Sequence, residues 1–385
     1  MKKRILFCFV ALMALPGITF AQAVEPQDPH LEEVFYKGNV IQVIKEDAVE
    51  DFGIAIFRQV LSIEIADKDF SGANPASIVY EVDAAQRESQ ALQVGDRVIV
   101  SQSTIVQPDG SESDREYVIT DVNRLRGLWW LLAAFVGVTL LFAGRYGARA
   151  FLGLILSFVV IIWYVVPGIV GGGSPLWVSF SGSVVIASTA LFLAHGFKRR
   201  TVIAFVSTIA SLLLALIFSY VSVKGLHLFG VGSEEAFFLQ FSNDITINLQ
   251  GLLLGGIIIG TLGVLDDVTT AQAATVEEIH RADAALSIRD LYERGISVGR
   301  EHIISLVNTL VLAYTGASLP LLILFQLYEK PIWVTLNSEL IMEEVVRMIV
   351  GSMTLIVAVP ITTLLAAYYF GRAQKGANIA KISQK

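Results

Sequence analysis

The chain has 385 residues, of which 54% are hydrophobic and only 16% charged, and its formal net charge is −7. Soluble domains carry roughly 25% charged residues, so an ordinary soluble protein is excluded and a multi-spanning membrane protein, with membrane lipid as its surroundings, is indicated. The acidic balance also excludes a nucleic-acid partner, which would need clustered Lys and Arg.

Lys2, Lys3 and Arg4 precede an apolar run over residues 5–15, then Pro16-Gly17, then the small residues Ala21 and Ala23. This is the order of a secretory signal, and residues 1–23 (or 1–21) are expected to be cleaved. An anchor is the weaker reading, because the run falls short of the ~20 residues of a span and contains a proline. The lone cysteine, Cys8, lies inside it. Beyond this segment no thiol exists for a disulfide, a metal or a nucleophile.

From residue 30 to 124 apolar and polar residues alternate in short runs: VFYKGNVIQVI, FRQVLSIEI, SIVYEV, DRVIVSQS and EYVITDV, with turn signals at Ser71-Gly72, Gly95-Asp96 and Pro108-Asp109-Gly110. Such runs predict half-buried strands. About five of them suggest a small exported all-β domain, an OB-like barrel or a sandwich. Its carboxylates follow no metal-binding spacing.

Seven spans are then expected, at about 128–143, 151–167, 176–194, 202–223, 247–265, 303–325 and 346–370, within a helical domain over 127–372. Trp129 and Trp130 suit an interfacial belt. Arg145, Arg149, Lys198, Arg199, Arg200, Arg281, Arg289, Arg294 and Arg300 fall in loops on one side, with a basic tail at 373–385; the other side has only Lys224 and Lys330. The positive-inside rule puts the first set and the C-terminus in the cytoplasm and the β domain outside.

The residues GREHIISLVNTLVLAYTGASLPLLILF (299–325), the glycine-rich span ending in aspartate, and the closing NSELIMEEVVRMIVGSMTLIVAVPITTLLAA resemble the YibE/F-like multi-pass membrane proteins of bacteria. The likeness extends to the exported β domain. One departure is the acidic pair Asp266-Asp267 where a single aspartate is expected. The resemblance implies a bacterial plasma-membrane protein and leaves the activity open.

Gly256, Gly260 and Gly263 share a helix face, read as a packing groove or a substrate-lining face. If the helix ends at Leu265, Asp266 and Asp267 are interfacial and Asp267 can N-cap the next helix; if it runs on, the pair forms a cation or proton site in the membrane, with Gln272 a further candidate polar-core residue. Thr275-Val-Glu-Glu278 and Ser287-Ile-Arg-Asp290 fit capping boxes, bounding a cytoplasmic helical elbow over 275–300 that lies on the membrane or against the bundle. Ser305, Asn308 and Thr315 lie on one stripe with Thr309 beside them, and Pro320 is expected to kink the helix. The stripe reads as inter-helix glue or as a permeation path running from Asp266 and Asp267 to Pro320. Glu343 and Arg347 are spaced for an i, i+4 pair.

Glu301 and His302 are neighbours without zinc spacing. No triad, HExxH or phosphate loop is present, so neither an enzyme nor a cofactor is expected. The leading reading is a transporter or permease for an ion or small solute, alone, as a homo-oligomer or with a related membrane subunit. The alternative is a non-transporting assembly or sensory protein whose β domain binds an envelope partner.

Overall fold

A computed structural model describes residues 30–382 except 52, 68, 69, 71, 107–114, 242–246 and 328–330. The signal segment, Ser71 and the Pro108-Asp109-Gly110 turn lie outside the described residues. These residues form two compact units, one ending at Val138 and the other beginning at Thr139.

In the first unit the alternating runs become β1 (His30–Asp51), β2 (Ile54–Ile65), β3 (Ala76–Asp83), β4 (Arg97–Val106) and β5 (Glu116–Val122). They pair antiparallel in the order β3-β2-β1-β4-β5. The result is one sheet curved into a half-barrel, so the sandwich alternative, which needs two facing sheets, does not form.

Curvature comes from β1, whose residues 30–39 pair with β4 and whose residues 38–51 pair with β2. Register shifts between Val40 and Gln42 and between Val43 and Lys45 bend the strand at this crossover. Gly38 sits where both neighbours pair, and a Cβ there would lie 2.5 Å from Ile63 Cγ2. Val40, Leu61, Ile63, Ile78, Val98 and Val100 fill the interior, each contributing about 1.5–3 kcal/mol by leaving water.

Gln59 is fully buried, donating to Leu92 O (3.1 Å) and Glu46 Oε1 (2.9 Å) and accepting from Leu92 N (2.8 Å). Gln59→Leu strands both Leu92 backbone groups and is expected to destabilise this unit by about 2 kcal/mol or more. Faster amide exchange of β2 and of residues 91–93, measured in the full chain, is the readout.

The second unit is helical. The first long helix, α1 (Leu125–Val160), begins at the end of the first unit, enters the second at Thr139 and continues through a π-helical turn (Ile161–Val165) into Val166–Val170. Pro167 lacks an N–H, which accounts for the irregular turn before it. The whole stretch has 46 residues, about 69 Å at 1.5 Å per residue, against a hydrocarbon thickness of about 30 Å.

Gly144 breaks it, with φ 53 and ψ −134. A Cβ on Gly147 would lie 2.9 Å from Thr139 O, whereas eight residues of unbroken helix span about 12 Å. The chain therefore folds back sharply at Gly144, beside Arg145 and within the interval expected for a basic loop.

The remaining long helices are α2 (Pro175–His195), α3 (Arg199–Gly225), α4 (Leu249–Ala282), α5 (Ile288–Ala317) and α6 (Glu339–Ile382). Counting the α1 stretch once, six helices among the described residues are long and apolar enough to cross a membrane. The sequence reading expected seven crossings; the difference is the α1 stretch, which the break at Gly144 divides.

Helix α4 occupies the centre, packed on α2, α3, α5 and α6. Asn248 caps its start by accepting from Gly251 N at 2.9 Å. It then runs unbroken past residue 265, because 264–282 contains neither Gly nor Pro and Val268, Ala273 and Val276 are buried. The capping role for Asp267 is thereby overturned. Thr275 is likewise inside the helix, its hydroxyl donating to Ala271 O at 2.9 Å, so no capping box starts there.

The reversal falls at Asp283–Ser287, where the Ser287/Asp290 capping box does form. The apolar side of this elbow lies against the bundle rather than on a membrane face: Leu291 is fully buried with Ala204, Ala367 and Phe370, and Ile279 and Leu286 pack beside it.

Candidate functional site

Because α4 continues through the acidic pair, Asp266 and Asp267 project about 100° apart from one helical turn. Asp267 is exposed. Asp266 is half-buried, and its Oδ1 is sealed from solvent without a hydrogen-bond partner among the described residues. One turn on, the Thr270 hydroxyl is in the same condition. Between them Thr269 is fully buried and shares a 2.8 Å hydrogen bond with Thr208 of α3.

The surrounding bundle is rich in buried hydroxyls. Most donate to the carbonyl one turn back in their own helix, as Ser207 does to Ile203 and Thr354 to Val350. Four fully or almost fully buried hydroxyls have no partner among the described residues: Ser183 on α2, Thr201 and Ser211 on α3, and Ser352 on α6. The sequence reading missed all four, since Ser and Thr in an apolar helix are uninformative until their facing is known.

Gln272 anchors a second arrangement. It is buried, and its Nε2 donates to Gly295 O (2.9 Å) on α5 and to Thr363 Oγ1 (2.7 Å) on α6. Thr363 passes its own hydrogen to Val359 O at 2.7 Å. Three helices are thus tied at one amide, which absent side chains on Gly295 and Gly299 permit. A Cβ at Gly295 would lie 2.8 Å from Thr363 Cγ2, and one at Gly299 would lie 2.5 Å from Val359 Cγ1. The small-xxx-small spacing of Gly295 and Gly299 was legible, but the sequence reading placed the packing glycines on α4 instead.

Those α4 glycines serve differently. Gly263 faces open space, Gly260 is exposed and a Cβ there would lie 3.4 Å from Tyr314 Oη, and a Cβ on Gly256 would lie 3.5 Å from Arg347 Nη1. The close approach on α4 occurs at Gly255, against Ser179 and the Pro175 carbonyl of α2.

The polar stripe of α5 is also displaced from its expected role. Leu306, Leu310 and Tyr314 turn inward, while Ser305, Asn308, Thr309 and Thr315 are exposed on the side away from α4 and α6. Thr309 and Thr315 satisfy their hydroxyls on Ser305 O and Val311 O. The expected route from Asp266 along Ser305, Asn308 and Thr315 does not form among the described residues, because those three side chains are exposed while Leu310 and Tyr314 face α4. Pro320 does not kink one helix: α5 ends at Ala317 and a separate short helix, Leu319–Leu327, begins around the proline.

At the other end of the bundle, the loop after α3 turns at His227 (φ 55) and Gly230 (φ 85). Its backbone N–H groups converge on α6: Phe229, Gly230 and Val231 donate to Glu339 Oε1 at 2.6, 2.8 and 3.3 Å, and Gly232 donates to Glu343 Oε1 at 2.8 Å. Glu343 is buried. The expected Glu343–Arg347 pair is replaced by Glu344–Arg347 at 3.5 Å, since Glu343 turns to the loop. Glu339→Ala leaves three N–H groups without an acceptor, and a rise in amide exchange confined to 229–231 of at least tenfold, about 1.4 kcal/mol, is the expected outcome.

Among known proteins, a family model described as YibE/F-like protein matches residues 131–372. Comparison with curated proteins and with solved structures finds no match. The matched stretch leaves out the half-barrel but takes in Asp266, the Gln272 tie and the Glu339 clamp, and it covers well over half of the chain. On that match, and with its long apolar helices, the protein is a membrane protein and belongs to the YibE/F-like family.

Proposed function

We propose that this chain is a permease or secondary transporter for an ion or small polar solute, with Asp266 as its cation or proton site. The carrying observation is the Asp266 oxygen left, among the described residues, without a partner on the central helix of a bundle whose interior holds hydroxyls on three further helices in the same condition. Burying such groups costs free energy in the resting protein, and a passing ion or solute supplies the missing partner. On this reading the route runs inside the α2, α3, α4 and α6 bundle and not along α5.

In the full reading residues 1–23 are a signal segment, the half-barrel is exported, and seven crossings bring the C-terminus into the cytoplasm of the bacterium. The sharp reversal at Gly144 supports two crossings in the α1 stretch, and the Lys and Arg distribution supports the orientation. Purified protein in liposomes, offered a panel of monovalent and divalent cations and a pH gradient, tests the activity. Flux that depends on Asp266 is the expected outcome. Equal flux from wild type, Asp266→Asn and empty liposomes would return the chain to the non-transporting reading, in which the half-barrel binds a partner.

A further inference from the structure

Among the described residues, helix α5 is partnered on one side only. Within its most apolar window 6% of the residues are buried in the chain, against 56% for α4 and 50% for α6. The uncovered side is not suited to lipid. Ser305, Asn308, Leu312 and Thr315 are all exposed and follow one another at intervals of three, four and three, forming a stripe along the helix. The exposed faces of α3 and α6 are apolar by contrast, with Val202, Val206, Leu213 and Ile217 on α3 and Met353, Ile356 and Leu364 on α6.

Hydrocarbon meets those faces without cost. It offers nothing to a carboxamide, and intramembrane amides and hydroxyls instead bond across helix pairs, each such bond contributing about 0.6–2 kcal/mol. Thr309 and Thr315 are already satisfied by their own helix, so the unmet demand centres on Asn308.

We infer that the α5 stripe docks against the same stripe of a second copy of this chain. Copies in one membrane share their orientation, so a twofold axis along the membrane normal sets α5 beside α5, parallel and at equal depth. Asn308 then opposes Asn308 and Ser305 opposes Ser305. A carboxamide is both donor and acceptor and a hydroxyl likewise, so each group is its own complement in that arrangement. A foreign helix would need a matching amide at the same depth. Leu312, between Asn308 and Thr315, adds apolar contact at the seam.

The test uses the full chain with Cys8→Ser and single cysteines placed on the two faces of α5, oxidised in native membranes. Ser305→Cys, Asn308→Cys, Leu312→Cys and Thr315→Cys are expected to give a cross-linked species of twice the chain mass, while Leu306→Cys and Leu310→Cys do not. Absence of that species from the outward set, equal cross-linking from the inward set, or a product of any other mass would overturn the proposal. In a companion measurement two differently tagged copies are expressed together. Asn308→Leu in both is expected to lower co-purification at least threefold with the amount of folded protein unchanged, and undiminished co-purification would count against the α5 seam.

Discussion

Asp266→Asn is expected to lower cation or proton flux in liposomes at least tenfold, about 1.4 kcal/mol in rate terms, while Asp267→Asn stays within about twofold. The two residues are adjacent and chemically identical, so the contrast isolates position. Asp266 carries the sealed oxygen that has no partner among the described residues, and Asp267 is exposed. Asparagine keeps the size of the side chain and removes the charge. An ionisable group buried without a partner is costly, so the same substitution is expected to leave thermal stability in detergent unchanged or raised. Lost flux with retained stability separates a working group from a structural one; loss of both, or equal loss in the two variants, would remove Asp266 from the mechanism.

A second large effect is expected at Gly299. Its missing side chain brings α5 onto Val359 and Gln272, where a Cβ would lie 2.5 Å and 3.0 Å from its neighbours. Even Gly299→Ala must displace the branched Val359 side chain on the facing helix, costing about 1–3 kcal/mol, and Gly299→Leu is expected to prevent α5 from docking. Gly263→Ala is the matched control. It points into open space, and alanine favours helix by roughly 0.5–1 kcal/mol over glycine. Survival of the monodisperse species after heating in detergent should fall for Gly299 variants and hold or rise for Gly263→Ala. The reverse ranking would return the packing role to the α4 glycines.

Features legible in the sequence were those set by neighbours along the chain. Period-two alternation gave four of the five strands within three residues of their ends, whereas β1 runs seven residues beyond its predicted run, and Ser287 with Asp290 gave the cap of α5. The basic interval after residue 143 gave the neighbourhood of the reversal, although the break itself is a single left-handed glycine inside an otherwise continuous helix. The error at Asp267 had a local cause as well. A polar pair after an apolar run looks like a helix end, but the following residues carry no breaker and their apolar members are buried by tertiary packing.

By itself, then, the sequence determined the membrane class, the family, the all-β character of the first unit and the order of long helices, because composition and short-range periodicity act before any two distant segments meet. Tertiary structure alone decided which side of each helix is inside. The spacing of Ser305, Asn308 and Thr315 places them on one stripe, yet a helix repeats every 3.6 residues whichever way it is turned, and only Leu310 and Tyr314 packed inward show that the stripe looks outward. The same holds for the bonds that tie the bundle. Gln272 meets Thr363 across 91 residues, and Glu339 meets Gly230 across 109. No local pattern pairs such groups, since their partners are chosen by how the helices stack.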